Sequence, residues 1–229
     1  MLGLSSGVLR GWFDIGVESR GMAQPPIATD EPPQERAFDY DRTVALSDGV
    51  FAIALTLLVL NIGVPVSAVH GKLGGRLLDH DTEFESYAIS FAVIALLWVR
   101  HHAFFRAVEK IDGRLTLLNL AFLGFVAFLP YPTRVLGLYG GEPASIALYA
   151  ITVAIISTIG GIMRTYTLRA GLLSEQGRTE LARREHWAIV PAVFLGSIPV
   201  AFASVKLAEL LWILTLLPGL RARGHRSRA

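Results

Sequence analysis

The stretch Arg42–Leu60, R-T-V-A-L-S-D-G-V-F-A-I-A-L-T-L-L-V-L, contains the residues that decide the fold. It begins with Arg42, includes Ser47 and Asp48, and continues as an apolar run that is interrupted by Thr56. Charged side chains are costly inside a lipid bilayer, so an Asp at the start of a membrane span predicts a functional position or a tightly partnered one. This single segment therefore combines charged side chains with an apolar run that is suited to a membrane.

The composition indicates a membrane protein. Of the 229 residues, 52% are hydrophobic and 17% are charged, and the mean hydropathy is +0.49. Soluble domains contain about 45–50% apolar and about 25% charged residues. The absence of Cys excludes disulfides, thiolate chemistry and Cys-ligated metals. The net charge of +2 does not indicate a nucleic-acid partner, and we expect none.

We expect an all-α, polytopic membrane protein with six transmembrane helices. A helical span needs about 20 largely apolar residues. The segments that meet or approach this length are 43–63, 85–106, 115–137, 144–166, 186–204 and 207–220. Together they define a six-span domain over residues 39–220. The proline-rich residues 1–38 are predicted to be a disordered tail, and residues 221–229 to be a basic cytoplasmic tail.

The distribution of Lys and Arg predicts the orientation. Sixteen of the 21 lie in the N-terminal tail, in the loops after the second and fourth spans, and at the C-terminus. Four lie in the segments expected on the opposite side, and Arg100 lies within a span. Cytoplasmic loops carry the excess of positive charge, so both termini are expected in the cytoplasm.

Polar side chains from three spans are expected at one depth near the cytoplasmic face. They are Arg42, Ser47, Asp48, Trp98, Arg100, His101, His102 and Asn119. Buried polar groups need partners, so we expect Ser47 and Asp48 to bind Arg42, His102 or Asn119. The network either holds helices together or titrates, with His102 as a pH sensor. No metal site is expected, because adjacent helical residues such as His101 and His102 point about 100° apart.

Helical phase separates this polar cluster from an apolar stripe. Asp48 and Ile53 are about 140° apart around the helix. The stripe is formed by Ile53, Thr56, Leu57 and Leu60, at positions i, i+3, i+4 and i+7 of one helical face. Alone, such a stripe is more typical of a helix–helix contact. The chain has no Thr-Val-Gly-Tyr-Gly loop, so a channel would select and gate differently, for example by dewetting of a hydrophobic constriction.

The first span carries a recognisable motif, Arg42-x-x-x-Leu46-Ser47-Asp48, followed by the apolar run. It resembles the R-x-x-x-F-S-D signature of the transmembrane protein 175 family of potassium channels, known from lysosomes and prokaryotes. Leu46 stands where the family usually has Phe. Residues 98–105 resemble the second span of this family, and residues 197–212 resemble its last two spans.

The resemblance implies a homotetramer with six spans in each chain and with span one lining a central pore in the plasma membrane. The hydrophobic constriction of the family maps onto Ile53, Leu57 and Leu60, and Thr56 matches the position linked to cation preference. The permeating ion would be K⁺, with the lipid bilayer as surroundings, no cofactor and no enzymatic activity. The resemblance also implies a structural network of Arg42, Ser47, Asp48, Trp98, His102 and Asn119.

Three functions other than a channel are considered. A proton pathway or proton-coupled transporter would use Asp48 and His102 as relays. A membrane enzyme is not expected, because Ser47 and Asp48 are sequence neighbours that point apart and cannot form a triad with His102. A scaffold without transport activity would require that every flux assay fails.

Overall fold

The computed structural model describes residues 33–63, 81–182 and 188–215. The helices of this part are α1 (Pro33–Val59), α2 (Asp81–Phe105), α3 (Gly113–Phe128), α4 (Pro130–Leu138), α5 (Pro143–Ala170), α6 (Glu175–Ala182), α7 (Ile189–Ala201) and α8 (Val205–Leu214). Among the described residues the only β pairing is an isolated bridge between Val108 and Leu173. The all-α class is thus confirmed for this part of the chain.

Four spans in the described ranges are long and apolar enough to cross a membrane: Tyr40–Val59, Thr82–Phe105, Gly113–Leu138 and Pro143–Ala170. The expected fifth and sixth spans correspond to shorter helices, α7 with 13 residues and α8 with 10. A helix of 13 residues covers about 20 Å, whereas a bilayer core is about 30 Å thick. The six-span count therefore stays a prediction.

Helix α1 begins earlier than expected, at Pro33. Proline is favourable at the first position of a helix, because its φ angle is already helical and its missing N–H has no partner to lose there. Residues 33–38, expected to belong to a tail, are therefore helical. The rest of the expected N-terminal tail, residues 1–32, and the expected C-terminal tail, residues 221–229, lie outside the described residues.

The helices pack around α5 and α2. Helix α1 lies against α2 and α3, α2 also packs on α4, and α5 contacts α3, α4 and α7. Helices α7 and α8 form a hairpin, in which Ser204 caps α8 by accepting a hydrogen bond from the Leu207 N–H. Stacked rings of Tyr149, Phe194 and Trp212 fix this hairpin to α5.

The third span is divided at Leu129 into α3 and α4. Pro130 and Pro132 lack an N–H, so they cannot donate to the carbonyls one turn earlier. The Leu129 N–H instead bonds to the Val126 carbonyl at 3.1 Å, which tightens the chain locally. The backbone at Leu129 stays in the right-handed helical region. The two halves are therefore continuous in direction, with a weakened hydrogen-bond ladder between them.

The end of the bundle that holds Tyr40 and Phe105 is called the Arg42 end, and the opposite end is called the Leu60 end. At the Arg42 end two loops are joined by backbone hydrogen bonds, from Glu109 N to Leu172 O and from Ser174 N to Ala107 O. At the Leu60 end, Lys206 binds Glu85 of α2 and lies 3.3 Å from Glu209.

Candidate functional site

A chain of hydrogen bonds crosses three helices near the Arg42 end of α1. The His101 Nε2 lies 2.8 Å from the Asn119 Oδ1. The Asn119 amide donates to the Ser47 hydroxyl at 3.1 Å, and that hydroxyl donates to the Thr43 carbonyl at 2.8 Å. Because the Asn119 Oδ1 can only accept a hydrogen bond, the His101 Nε2 is the donor. Within the described residues, these bonds link His101, Asn119 and Ser47 to one another and to the backbone.

Apolar rings surround this network. His101 is 7% exposed, and its ring lies 4.7 Å from that of Phe105, 5.2 Å from that of Phe122 and 5.4 Å from that of Phe51. Buried polar groups of this kind fix a unique packing when every partner is present. The cluster therefore sets the position of α1 against α2 and α3.

A second polar contact lies beside this network. The Trp98 indole N–H donates to the Asp48 Oδ1 at 2.9 Å. The His102 ring stacks on Trp98 at a centroid distance of 5.5 Å. Asp48 is half-buried, whereas Trp98 and His102 are exposed in the single chain. The carboxylate that would be costly in lipid thus receives a hydrogen bond from the neighbouring helix.

The structure brings together most of the expected polar residues, but His101 takes the place in the network that was expected for His102. Ser47 meets Asn119, and Asp48 meets Trp98. The histidine that joins the network by a hydrogen bond is His101, which bonds to Asn119, whereas His102 was the histidine expected in the network. Arg42 is exposed on α1, five residues before Ser47. His102 contacts the group through its stacking on Trp98.

The helical phase of α2 could have identified the correct histidine. His101 falls on the same helical face as Ile94, Leu97 and Phe105, all of which are buried. His102 is about 100° further around the helix and is exposed. Within the described ranges, no group of three or more His, Asp or Glu side chains could hold a metal ion.

The stripe residues lie together on a face of α1 that no other described helix covers. Ile53 is 60% exposed, Leu57 40% and Leu60 73%, and Thr56 is exposed between them. The Thr56 hydroxyl donates to the Ile53 carbonyl of its own helix at 2.9 Å. The opposite face of α1 packs in the core through Phe51, Ala54 and Leu58, which are buried almost completely.

Sequence reasoning missed one polar residue at the Leu60 end. The Asn61 amide donates to the Pro130 carbonyl of α4 at 2.8 Å. Asn61 directly follows the stripe, and its backbone N–H bonds to the Leu58 carbonyl at the end of α1. An Asn next to Leu60 could have indicated a helix end, but no sequence pattern points to its distant partner.

The chain is similar to ion channels. The family described as "Endosomal/lysosomal potassium channel TMEM175" matches residues 42–130. A potassium channel of Streptomyces collinus is 45% identical over 98 residues, which cover 43% of this chain and 48% of that protein. The similarity to that relative thus spans about half of its length.

A potassium channel of Chamaesiphon minutus is similar over a longer region. It is 33% identical over 175 residues, which cover 73% of this chain and 86% of that protein. A crystal structure described as a lysosomal potassium-selective channel TMEM175 homolog from the same organism superposes with a TM-score of 0.72. That superposition has 29% sequence identity and covers 81% of this chain and 98% of the other.

A human relative carries a different functional name. "Endosomal/lysosomal proton channel TMEM175" of Homo sapiens is 27% identical over 204 residues. The aligned region covers 84% of this chain and 40% of the human protein.

Proposed function

This chain belongs to the TMEM175 family of ion channels, and from this premise we propose that it is a potassium channel whose pore is lined by α1. The observation that carries the proposal is the uncovered stripe of Ile53, Thr56, Leu57 and Leu60 on a helix whose other face is packed. The names of the Streptomyces and Chamaesiphon relatives support K⁺ as the ion.

The exposure of α1 supports assembly with further copies of the chain. Only 22% of the apolar window of α1 is buried, against 50% for Pro143–Ala170. We propose a homotetramer in which four copies of α1 surround the pore, as the family resemblance implies. Closed rotational symmetry gives each copy the same environment, so one stripe per chain supplies a complete ring of side chains.

The chemistry of the stripe supports a narrow, apolar pore. Rings of Ile53, Leu57 and Leu60 side chains would form constrictions that pass ions only when wetted. Thr56 adds a polar ring between them. Its hydrogen is already donated to the Ile53 carbonyl, so the lone pairs of its oxygen remain available to a passing cation.

The membrane arrangement completes the proposal. Helices α7 and α8 would serve as the fifth and sixth spans, and the excess of Lys and Arg supports cytoplasmic termini in a plasma membrane. The Arg42 end of the bundle would then face the cytoplasm. Ser47, Asp48, Trp98, His101 and Asn119 would hold α1 in place there without binding the ion.

Ion flux from liposomes tests the function. The full chain, reconstituted into K⁺-loaded vesicles, should release K⁺ faster than protein-free vesicles, and an Na⁺ gradient of the same size should drive less flux. Native mass measurement should give four times the 24.9 kDa of one chain. Absence of K⁺ flux in correctly folded, oligomeric protein would contradict the channel assignment, and a monomer or dimer would contradict the pore geometry.

A proton pathway is the second candidate, because the human relative is named a proton channel. It would use Asp48 and His102. Trp98 contacts both of these side chains, but an indole donates a hydrogen bond and cannot accept a proton in return. This contact favours a structural role for the pair. Proton flux that is lost in His102→Ala, with K⁺ flux retained, would reverse that preference.

A further inference from the structure

Helix α1 has polar anchors to its neighbours on both sides of the stripe. Near the Arg42 end, Ser47 accepts a hydrogen bond from Asn119 of α3 at 3.1 Å. At the Leu60 end, Asn61 donates to the Pro130 carbonyl of α4 at 2.8 Å. Asn61 lies fourteen positions after Ser47, a distance of about 20 Å along the helix.

Between Asp48, which accepts a hydrogen bond from Trp98, and Asn61, α1 is held by apolar packing. Phe51, Ala54 and Leu58 fill the core side, and the hydroxyl of Thr56 bonds within its own helix. Apolar contacts are not directional, so they allow sliding and rotation more readily than hydrogen bonds do. The position of the stripe is therefore determined largely by its two ends.

The two anchors lie on opposite sides of the break in the third span. Asn119 belongs to α3 and Pro130 begins α4. At the break, Pro130 and Pro132 remove two donors from the helical ladder, and Leu129 bonds to Val126 instead. Weakened ladders of this kind are common positions of helix bending. Bending at Leu129 would displace one anchor relative to the other.

We propose that Asn61 is a positioning residue that couples the break at Leu129–Pro130 to the width of the constriction. This inference rests on the proposed function of α1 as the pore helix. While α4 stays aligned with α3, the bond from Asn61 holds the Leu60 end of α1 and keeps the constriction narrow. When α4 bends away from α3, the same bond carries this end of α1 with it. Leu60 is adjacent to Asn61 and Leu57 lies one turn before it, so both move with this anchor.

Substitutions of Asn61 test the coupling. Asn61→Ala removes the amide, so the Leu60 end of α1 is no longer hydrogen-bonded to α4. We expect K⁺ flux to rise about fivefold, the effect of one typical net hydrogen bond on a two-state equilibrium, and K⁺ over Na⁺ discrimination to fall. A second variant, Asn61→Asp, adds a negative charge, and its control is Tyr139→Asp at an exposed site of the Leu60 end.

Asn61→Asp gives a signature that a helix-ending role would not produce. At about pH 8 its carboxylate cannot donate to the Pro130 carbonyl, whereas at about pH 4 the protonated acid can. The flux of Asn61→Asp, divided by that of wild type at each pH, should be high at the alkaline end and return towards one on acidification. Dividing by the wild-type flux at each pH also removes any pH response of native groups. One such group is Glu83, which accepts a hydrogen bond from the Gly63 N–H.

The outcomes distinguish a failure of the Asn61 coupling from a failure of the proposed channel function. Flux of Asn61→Ala that equals wild type, or an Asn61→Asp ratio that is constant with pH or is reproduced by Tyr139→Asp, would overturn the coupling. If Asn61→Ala fails to assemble, the reversible pH response of Asn61→Asp decides alone. Wild-type protein without K⁺ flux would instead contradict the proposed function itself.

Discussion

Ser47 of α1 and Asn119 of α3, 72 positions apart in sequence, are joined by a hydrogen bond between two buried side chains. Asn119 also accepts from His101 of α2, so one side chain holds three helices. Since an unsatisfied buried polar group costs more than the bond itself contributes, the arrangement is stable only as a complete set.

Replacing Asn119 by Leu should therefore destabilise the protein. The substitution leaves His101 and Ser47 with lost partners, and we expect a loss of about 1–3 kcal/mol in unfolding free energy, seen as a lower melting temperature in detergent. Ser157→Ala is the control, because the buried Ser157 hydroxyl has no hydrogen-bond partner in the described part of the chain. Equal melting temperatures for Asn119→Leu and wild type would contradict the network.

The two adjacent histidines should differ strongly. His101→Ala opens a cavity among Phe51, Phe105 and Phe122, with an expected cost of about 3 kcal/mol or more. His102→Ala removes an exposed ring and should cost about 0.5 kcal/mol or less. Thermal unfolding of both variants side by side measures the difference. A larger effect of His102→Ala would mean that the buried histidine has been misassigned.

Gly177 should not tolerate a side chain. A Cβ added at Gly177 would collide with the backbone of Ala107, at 2.8 Å from its Cα and closer still to its carbonyl oxygen. Gly177→Ala should therefore separate α6 from the loop after α2 and increase proteolysis there. Gly196→Ala, at a helical site with open space, should stabilise α7 by up to about 1 kcal/mol. Identical protease sensitivity of Gly177→Ala and wild type would contradict the contact.

The Lys206 ammonium should be needed mainly because Glu209 is buried. Glu209 is 7% exposed and has Lys206 within 3.3 Å. Lys206→Met leaves a buried charge unpaired, which is strongly destabilising, whereas adding Glu209→Gln should restore much of the loss. Melting temperatures of Lys206→Met with and without Glu209→Gln measure this difference, and no recovery in the double variant would contradict it.

The sequence predicts much of this arrangement, and its limits have physical reasons. The meeting of Ser47 with Asn119 follows from depth, because both lie near one end of their spans. To choose His101 over His102, one has to know which face of α2 is buried. The bond between Asn61 and Pro130 could not be predicted, since it joins residues 69 positions apart through a particular packing of α1 on α4.

The exposure of the stripe is a second feature that hydropathy does not predict. Ile53 and Phe51 are both apolar residues of one helix, yet one is 60% exposed and the other 1%. In a membrane, a lipid-facing, core-facing or pore-facing position can each carry an apolar side chain, so hydropathy does not separate them. Only the packed structure shows which face of α1 is left uncovered.

The central claim is that this uncovered face lines the pore. K⁺ flux from liposomes containing Ile53→Asn, compared with Val59→Asn, tests it most directly. Val59 is also exposed on α1, but it lies about 120° from Ile53 around the helix. A polar side chain should wet the constriction, so Ile53→Asn should raise K⁺ flux severalfold, while Val59→Asn should leave it near wild type. Unchanged flux in Ile53→Asn, or an equal increase in Val59→Asn, would contradict the account.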